Sequence, residues 1–181
     1  MADINMSIPA GHAATADPSG PDAAEPIWDL IELLFFAYRD FVGDADHVLE
    51  AYGFGRAHHR VLHFVNRNPG MTVADLLDIL KITKQSLGRV LKQLIDHGFI
   101  EQKEGQSDRR QRLLYPTQKG EALALKLAGL QGSRIARALA EQGPGTREAA
   151  RRFLTAMIDP PERDGVLRLV DRPGHARLTR R

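Results

Sequence analysis

A mainly α-helical chain carrying one small β-hairpin is what this sequence predicts, on three observations. Apolar residues recur at helical spacing in six stretches separated by glycine, proline or polar turns. Two short runs, 99–103 and 111–115, have strand composition and flank a polar, charged turn at 104–110. Hydrophobic residues make up 43% of the 181, enough for one packed core with tails.

Composition then removes several classes of function. The chain has no cysteine, which excludes disulfides, thiolate metal sites and a catalytic or redox-sensing thiol. The most apolar stretch, 27–42, is interrupted by Asp29, Glu32, Arg39 and Asp40, so no segment reaches the ~20 apolar residues that cross a bilayer. The start lacks a basic segment followed by an apolar one, as a signal peptide would have. A cytoplasmic protein with no membrane partner is the expectation. Net charge is only +2, but its distribution is uneven. Residues 1–26 carry four acids and no Lys or Arg, whereas residues 83–119 carry eight basic residues against four acids. The positive surplus sits where a polyanion can be gripped.

The elements follow in order. Residues 1–25, rich in Ala, Pro, Gly and Asp, read as a disordered arm. Ile27, Leu30, Ile31, Leu34, Tyr38, Phe41 and Val42 form one helical stripe, and Leu33, Phe35, Phe36 and Ala37 make the opposite side apolar too. A helix apolar on two sides is deeply buried or shared between subunits; in so small a chain, sharing is expected. A second helix over about 56–66 has Val61, Leu62, Phe64 and Val65 as its core face and stops at Pro69-Gly70. Thr72 and Asp75 stand at the spacing of a capping box that opens a third helix with Leu76, Leu77 and Leu80. After a turn at Lys81-Ile82, Thr83 caps a fourth, with Leu87, Val90, Leu91, Leu94 and Ile95 on one face and Gly98 beyond its end. Thr117 caps a fifth, running through Leu123, Leu127, Leu130, Ile135 and Leu139 past two internal glycines, Gly129 and Gly132. Gly143-Pro144-Gly145 breaks it. A sixth follows from Thr146 with Ala150, Phe153, Leu154 and Met157, and Pro160-Pro161 ends it. Residues 159–181 form an Arg-rich tail to which no element is assigned.

Two short helices, a tight turn and a hairpin form the pattern of a winged helix-turn-helix, here at 56–116. The stripe on the fourth helix turns Lys84, Gln85, Gly88, Arg89 and Lys92 outward, with Ser86 near the edge. In such a pair the first residues of the second helix reach base edges of double-stranded DNA. Gln pairs with adenine and Arg with guanine through two hydrogen bonds, while Lys and Ser suit phosphates or bases. Gly88 lets the helix approach the groove floor closely. The bland alternative, that Lys84, Arg89 and Lys92 are an ordinary solvated face, loses weight because these residues precede a basic hairpin.

The run 107–120, Ser-Asp-Arg-Arg-Gln-Arg-Leu-Leu-Tyr-Pro-Thr-Gln-Lys-Gly, resembles the wing signature of the MarR family, Asp-x-Arg-x5-Leu-Thr-x-x-Gly. Asp108, Arg110, Thr117 and Gly120 fall on that pattern, and Pro116 replaces its Leu. The order of helices is similar too, over roughly residues 27–158. The segments 35–41, 55–60 and 81–86 resemble a PetP-like subgroup. The resemblance implies that Arg110 enters the minor groove with Asp108 orienting it. Arg109 and Arg112 would meet phosphates, adding to the interface of Thr83, Lys84, Gln85, Ser86, Arg89 and Lys92. It implies a homodimer built from 26–55 and 117–158, reading a near-palindromic operator, with repression as the favoured outcome. It also implies a small aromatic effector, for which Trp28, Phe35, Phe36 and Tyr38 are candidate cavity walls, although they serve equally well as core.

The histidines raise the one chemical alternative. His59 and His63 are four apart and share a helix face, so with His47 or a carboxylate they can bind Zn²⁺ and make a metal-responsive DNA-binding sensor. No third residue completes a recognisable ligand spacing, and a structural role is the simpler reading. His97, beside Gly98, stands where it favours a helix C-terminus. The His-Glu-x-x-His, Gly-x-Ser-x-Gly and phosphate-loop patterns are absent, so neither enzymatic activity nor a cofactor is expected.

Overall fold

The computed structural model describes residues 25–105 and 111–172. Most of the expected arm at 1–25, the wing tip with Asp108, Arg109 and Arg110, and residues 173–181 lie outside the described residues. The chain divides into two units, Met1–Phe36 and Ala37–Arg181, and one helix contributes to both.

That helix is α1 (Trp28–Glu50). α2 (Arg56–Arg67), β1 (Met71–Thr72), α3 (Val73–Leu80), α4 (Lys84–Asp96), β2 (Ile100–Glu104) and β3 (Arg112–Pro116) follow. α5 (Gln118–Ala140), α6 (Thr146–Ala156) and α7 (Pro160–Val170) complete the order. The predicted fold class, mainly α with a β-hairpin wing, is what the chain adopts.

The local signals work as expected from their chemistry. The Thr72 hydroxyl accepts from the Asp75 amide at 3.1 Å, and the Asp75 carboxylate accepts in return from the Thr72 amide at 2.7 Å. Thr83 and Thr117 accept from the Ser86 and Gly120 amides, each at 3.1 Å, opening α4 and α5. Gly98, at φ +72°, takes the left-handed position after α4. α5 runs unbroken through Gly129 and Gly132.

The core gathers one face from each element of the second unit. Ala45 and Leu49 of α1 meet Val61, Leu62 and Val65 of α2, Leu76 and Leu80 of α3, and Leu87, Leu91 and Leu94 of α4. Leu114 of β3 and Leu123 and Leu127 of α5 close it. The sheet has three strands in the order β1-β3-β2, all antiparallel. β2 pairs with β3 from Ile100 opposite Pro116 to Glu104 opposite Arg112, and Met71 of β1 lies opposite Leu114.

Three features depart from the sequence reading. β1 was not expected, since two residues are too short for any period to register. The apolar stripe at 27–42 understates its helix, which continues to Glu50 through the buried Ala45 and Leu49. Pro160-Pro161 closes no helix by itself; the pair occupies the first turn of α7, where a missing N–H costs nothing. Inside the tail at 159–181, α7 is therefore a formed element. Arg67 of α2 donates to the carbonyls of Val170 and Arg172 at 3.2 and 3.0 Å, and Lys81 bridges Asp78 and Glu162.

α1, α5 and α6 end with apolar side chains uncovered. Trp28 is 62% and Phe35 68% exposed within the first unit. In the second, Leu125 and Ile135 of α5 and Phe153 and Leu154 of α6 are exposed. α6 has no buried residue at all.

Candidate nucleic-acid interface

The interface is built from the way α4 is held. Leu87, Val90, Leu91 and Leu94 are buried, which fixes the roll of the helix. Thr83, Lys84, Gln85, Gly88, Arg89 and Lys92 are then exposed, and Ser86 is half-buried. Lys84, Gln85 and Arg89 have no hydrogen-bond or ion-pair partner among the described residues. Their heads are available to a ligand at no cost in broken contacts. Other members of the set are engaged. The Thr83 hydroxyl, besides capping α4, donates to Ser86 Oγ at 3.0 Å, so its role in the chain is structural. Lys92 pairs with Asp96 one turn on. Arg112 pairs with Glu104 across the hairpin at 3.0 Å. Exposed pairs of this kind contribute ~0–1 kcal/mol, so a phosphate displaces them cheaply.

Polar contacts from α2 reach both helices of the pair. Arg60 of α2 donates to the Leu80 carbonyl at 3.2 Å, holding the end of α3 before the turn. His58 accepts from the Gly55 amide through Nδ1 at 3.1 Å, so its proton is on Nε2, which donates to Gln93 of α4 at 2.7 Å. His58 stacks on Phe54 with ring centres 4.6 Å apart. His58 is thus a positioning residue for α4. No periodicity could reveal that, because its partner lies 35 residues away.

The end of the wing signature is explained by packing. Thr117 donates to the Gly98 carbonyl at 2.7 Å, and Lys119 to the His97 carbonyl at 2.9 Å. A Cβ on Gly120 would stand 1.9 Å from the Phe99 carbonyl oxygen, so only glycine lets α5 start against the backbone that leads into β2. These residues fix the base of the hairpin relative to α4. His97 itself donates from Nδ1 to the Gln93 carbonyl at 2.8 Å, satisfying the end of the helix.

His59 and His63 are elsewhere, on the inner face of α2. His59 is 8% exposed. Burial lowers its pKa, against an opposing pull from Asp46. Burial also lowers that of His63, helped by His59 and Arg67. In both, burial disfavours the protonated form. Among the described residues no group of three His, Asp or Glu is placed to hold a metal ion, and nothing supports the metal-sensor alternative. Nor is any described helix long and apolar enough to cross a membrane. The candidate effector walls Trp28, Phe35, Phe36 and Tyr38 are all exposed.

Comparison with known proteins meets this geometry. Residues 52–111, from before α2 to the wing, match the model of the MarR family. The HTH-type transcriptional regulator PetP of Rhodobacter capsulatus is 47% identical over 133 residues, spanning 74% of this chain and 80% of that protein. FabT of Streptococcus pneumoniae, solved in complex with DNA, has a TM-score of 0.65 at 16% identity, over 73% of this chain and 94% of that one. A MarR family protein of Mycobacterium tuberculosis in complex with salicylic acid has a TM-score of 0.53 at 24% identity, over 75% and 98%. The two structures carry the fold alone. With the identity to a transcriptional regulator and its coverage, the chain belongs to the MarR family of transcription regulators, which are not enzymes.

Proposed function

We propose that the chain is a cytoplasmic, operator-binding repressor that acts as a homodimer and is released by a small-molecule effector. The observation that carries this reading is the outward face of α4. Lys84, Gln85 and Arg89 stand exposed, with no side-chain partner among the described residues, at the start of the second helix of a helix-turn-helix. Gln85 and Arg89 are the base readers in the major groove, and Lys84, Ser86 and Lys92 serve phosphates or bases. Arg112 and Arg109 meet backbone, and Arg110, oriented by Asp108 through a charge-assisted pair, enters the narrow, negative minor groove. The structure of FabT with DNA supports this use of the fold.

The homodimer rests on the uncovered apolar residues of α1, α5 and α6. Left in water, so many large apolar side chains would favour association. A two-fold dimer presents α4 twice and calls for an operator with two-fold symmetry. The salicylic acid complex of the Mycobacterium tuberculosis protein supports a small aromatic acid as the effector class.

Mobility-shift titration against a sequence selected from random DNA tests the reading. Arg89→Ala and Arg110→Ala should each weaken binding by ~1–3 kcal/mol and relax preference at one position of the half-site. Lys92→Ala should weaken binding to all sequences alike and reduce the salt slope. Wild-type affinity for both arginine variants would refute the assignment.

A further inference from the structure

Gly88 is unexplained by the chain's own needs. It lies in the interior of α4, where glycine costs ~1 kcal/mol relative to alanine. Its backbone is not in the left-handed region, and a Cβ there would meet nothing within 4 Å. Neither conformation nor packing requires glycine. Beside it runs a groove of about 390 Å³ lined by the apolar Val73, Leu91 and Ile95, by Gln102, by Lys84, and by the ion pair of Lys92 with Asp96. Lys84 is unpaired among the described residues, and the exposed Lys92–Asp96 pair is weak enough for a phosphate to displace, so the groove's apolar walls suit a ligand that is apolar at its tip and anionic at its flanks.

We propose that this groove reads a thymine in each operator half-site, the C5 methyl seating against Gly88 between Val73 and Leu91. The inference rests on the operator-binding reading above. Of the groups on base-pair edges in the major groove, only the thymine methyl is apolar; the rest are hydrogen-bond donors and acceptors. The flanking phosphates supply the negative charge for Lys84 and Lys92. Glycine is kept because a Cβ would fill the space that the methyl takes.

The test uses the full-length protein and a duplex selected from random DNA, resynthesised with each thymine replaced in turn by deoxyuridine, which lacks only the methyl. One thymine per half-site should prove sensitive, its replacement weakening binding about fourfold, the size of returning one such group to water. Changing both half-sites should weaken it roughly fifteenfold by the same reckoning. Gly88→Ala should raise Tm by about 2–4 °C, since it restores helix propensity. It should nonetheless bind the thymine duplex several-fold less tightly, and discriminate poorly between thymine and deoxyuridine at the sensitive position. Deoxyuridine that is silent at every position overturns the proposal while leaving operator binding intact. So does a Gly88→Ala variant that binds as tightly as wild type and keeps its preference for thymine. Failure of the selection to enrich any sequence overturns the operator reading, and this inference with it.

Discussion

Gly120 shows how little freedom a single position has in this molecule. Its missing side chain is what allows α5 to begin against the Phe99 carbonyl, which a Cβ would meet at 1.9 Å. That atom belongs to the backbone and is held by the Thr117 amide at 3.1 Å, so it cannot rotate away. Gly120→Ala gains helix propensity but forces the hairpin from α5, and overpacking should outweigh the gain by ~2 kcal/mol or more. Urea denaturation checks this through a lower midpoint at unchanged slope. The inner histidines supply a second residue-scale expectation. His59 and His63 have pKa values lowered by burial from an ordinary 6.5. Below about that pH the unfolded chain binds protons that the folded chain refuses, so stability is full above it and falls as pH drops. Unfolding free energy measured from pH 7.5 to 5 (about the range where an unperturbed histidine titrates) should decline, and His63→Leu should flatten the decline. A pH-independent midpoint in that variant and wild type alike would contradict it.

Elements were legible where their signals are local. The caps at Thr72, Thr83 and Thr117 act within three residues, and each forms as its spacing required. The stripe of Leu87, Val90, Leu91 and Leu94 fixed which side of α4 faces out, and with it the exposure of Lys84, Gln85 and Arg89. What stayed hidden depends on distant partners. The pairing of β1 with β3 joins Met71 to Leu114, and α7 is tied back by Arg67. A Pro-Pro pair marks a helix start as well as a stop, and only the residues after it decide. Thr83 belongs to α4 as its cap more than to a ligand. Thr83→Ala should therefore cost ~1 kcal/mol of stability, and Thr83→Asp should retain most of it. Thermal unfolding of the two variants distinguishes a cap from a residue needed only for contact with DNA, whose loss would leave Tm unchanged.

At the scale of the whole molecule, the fold class could be read from one chain because its core is closed within one chain. The apolar faces of α1, α5 and α6 could be read as apolar, yet what covers Phe153 or Trp28 is not encoded by the periodicity of either helix. The charge surplus at 83–119 pointed to a polyanion. In the proposed homodimer its use depends on where two copies of α4 stand relative to each other. A repeat of about 10 base pairs between half-site centres presents both major grooves on one side of the duplex. The most direct measurement is therefore the affinity for the selected operator and for the same operator with about five base pairs inserted at its centre, which turns one half-site to the opposite side. The account predicts tight binding to the first and a collapse towards single-site affinity for the second. Equal affinity for both duplexes would contradict it.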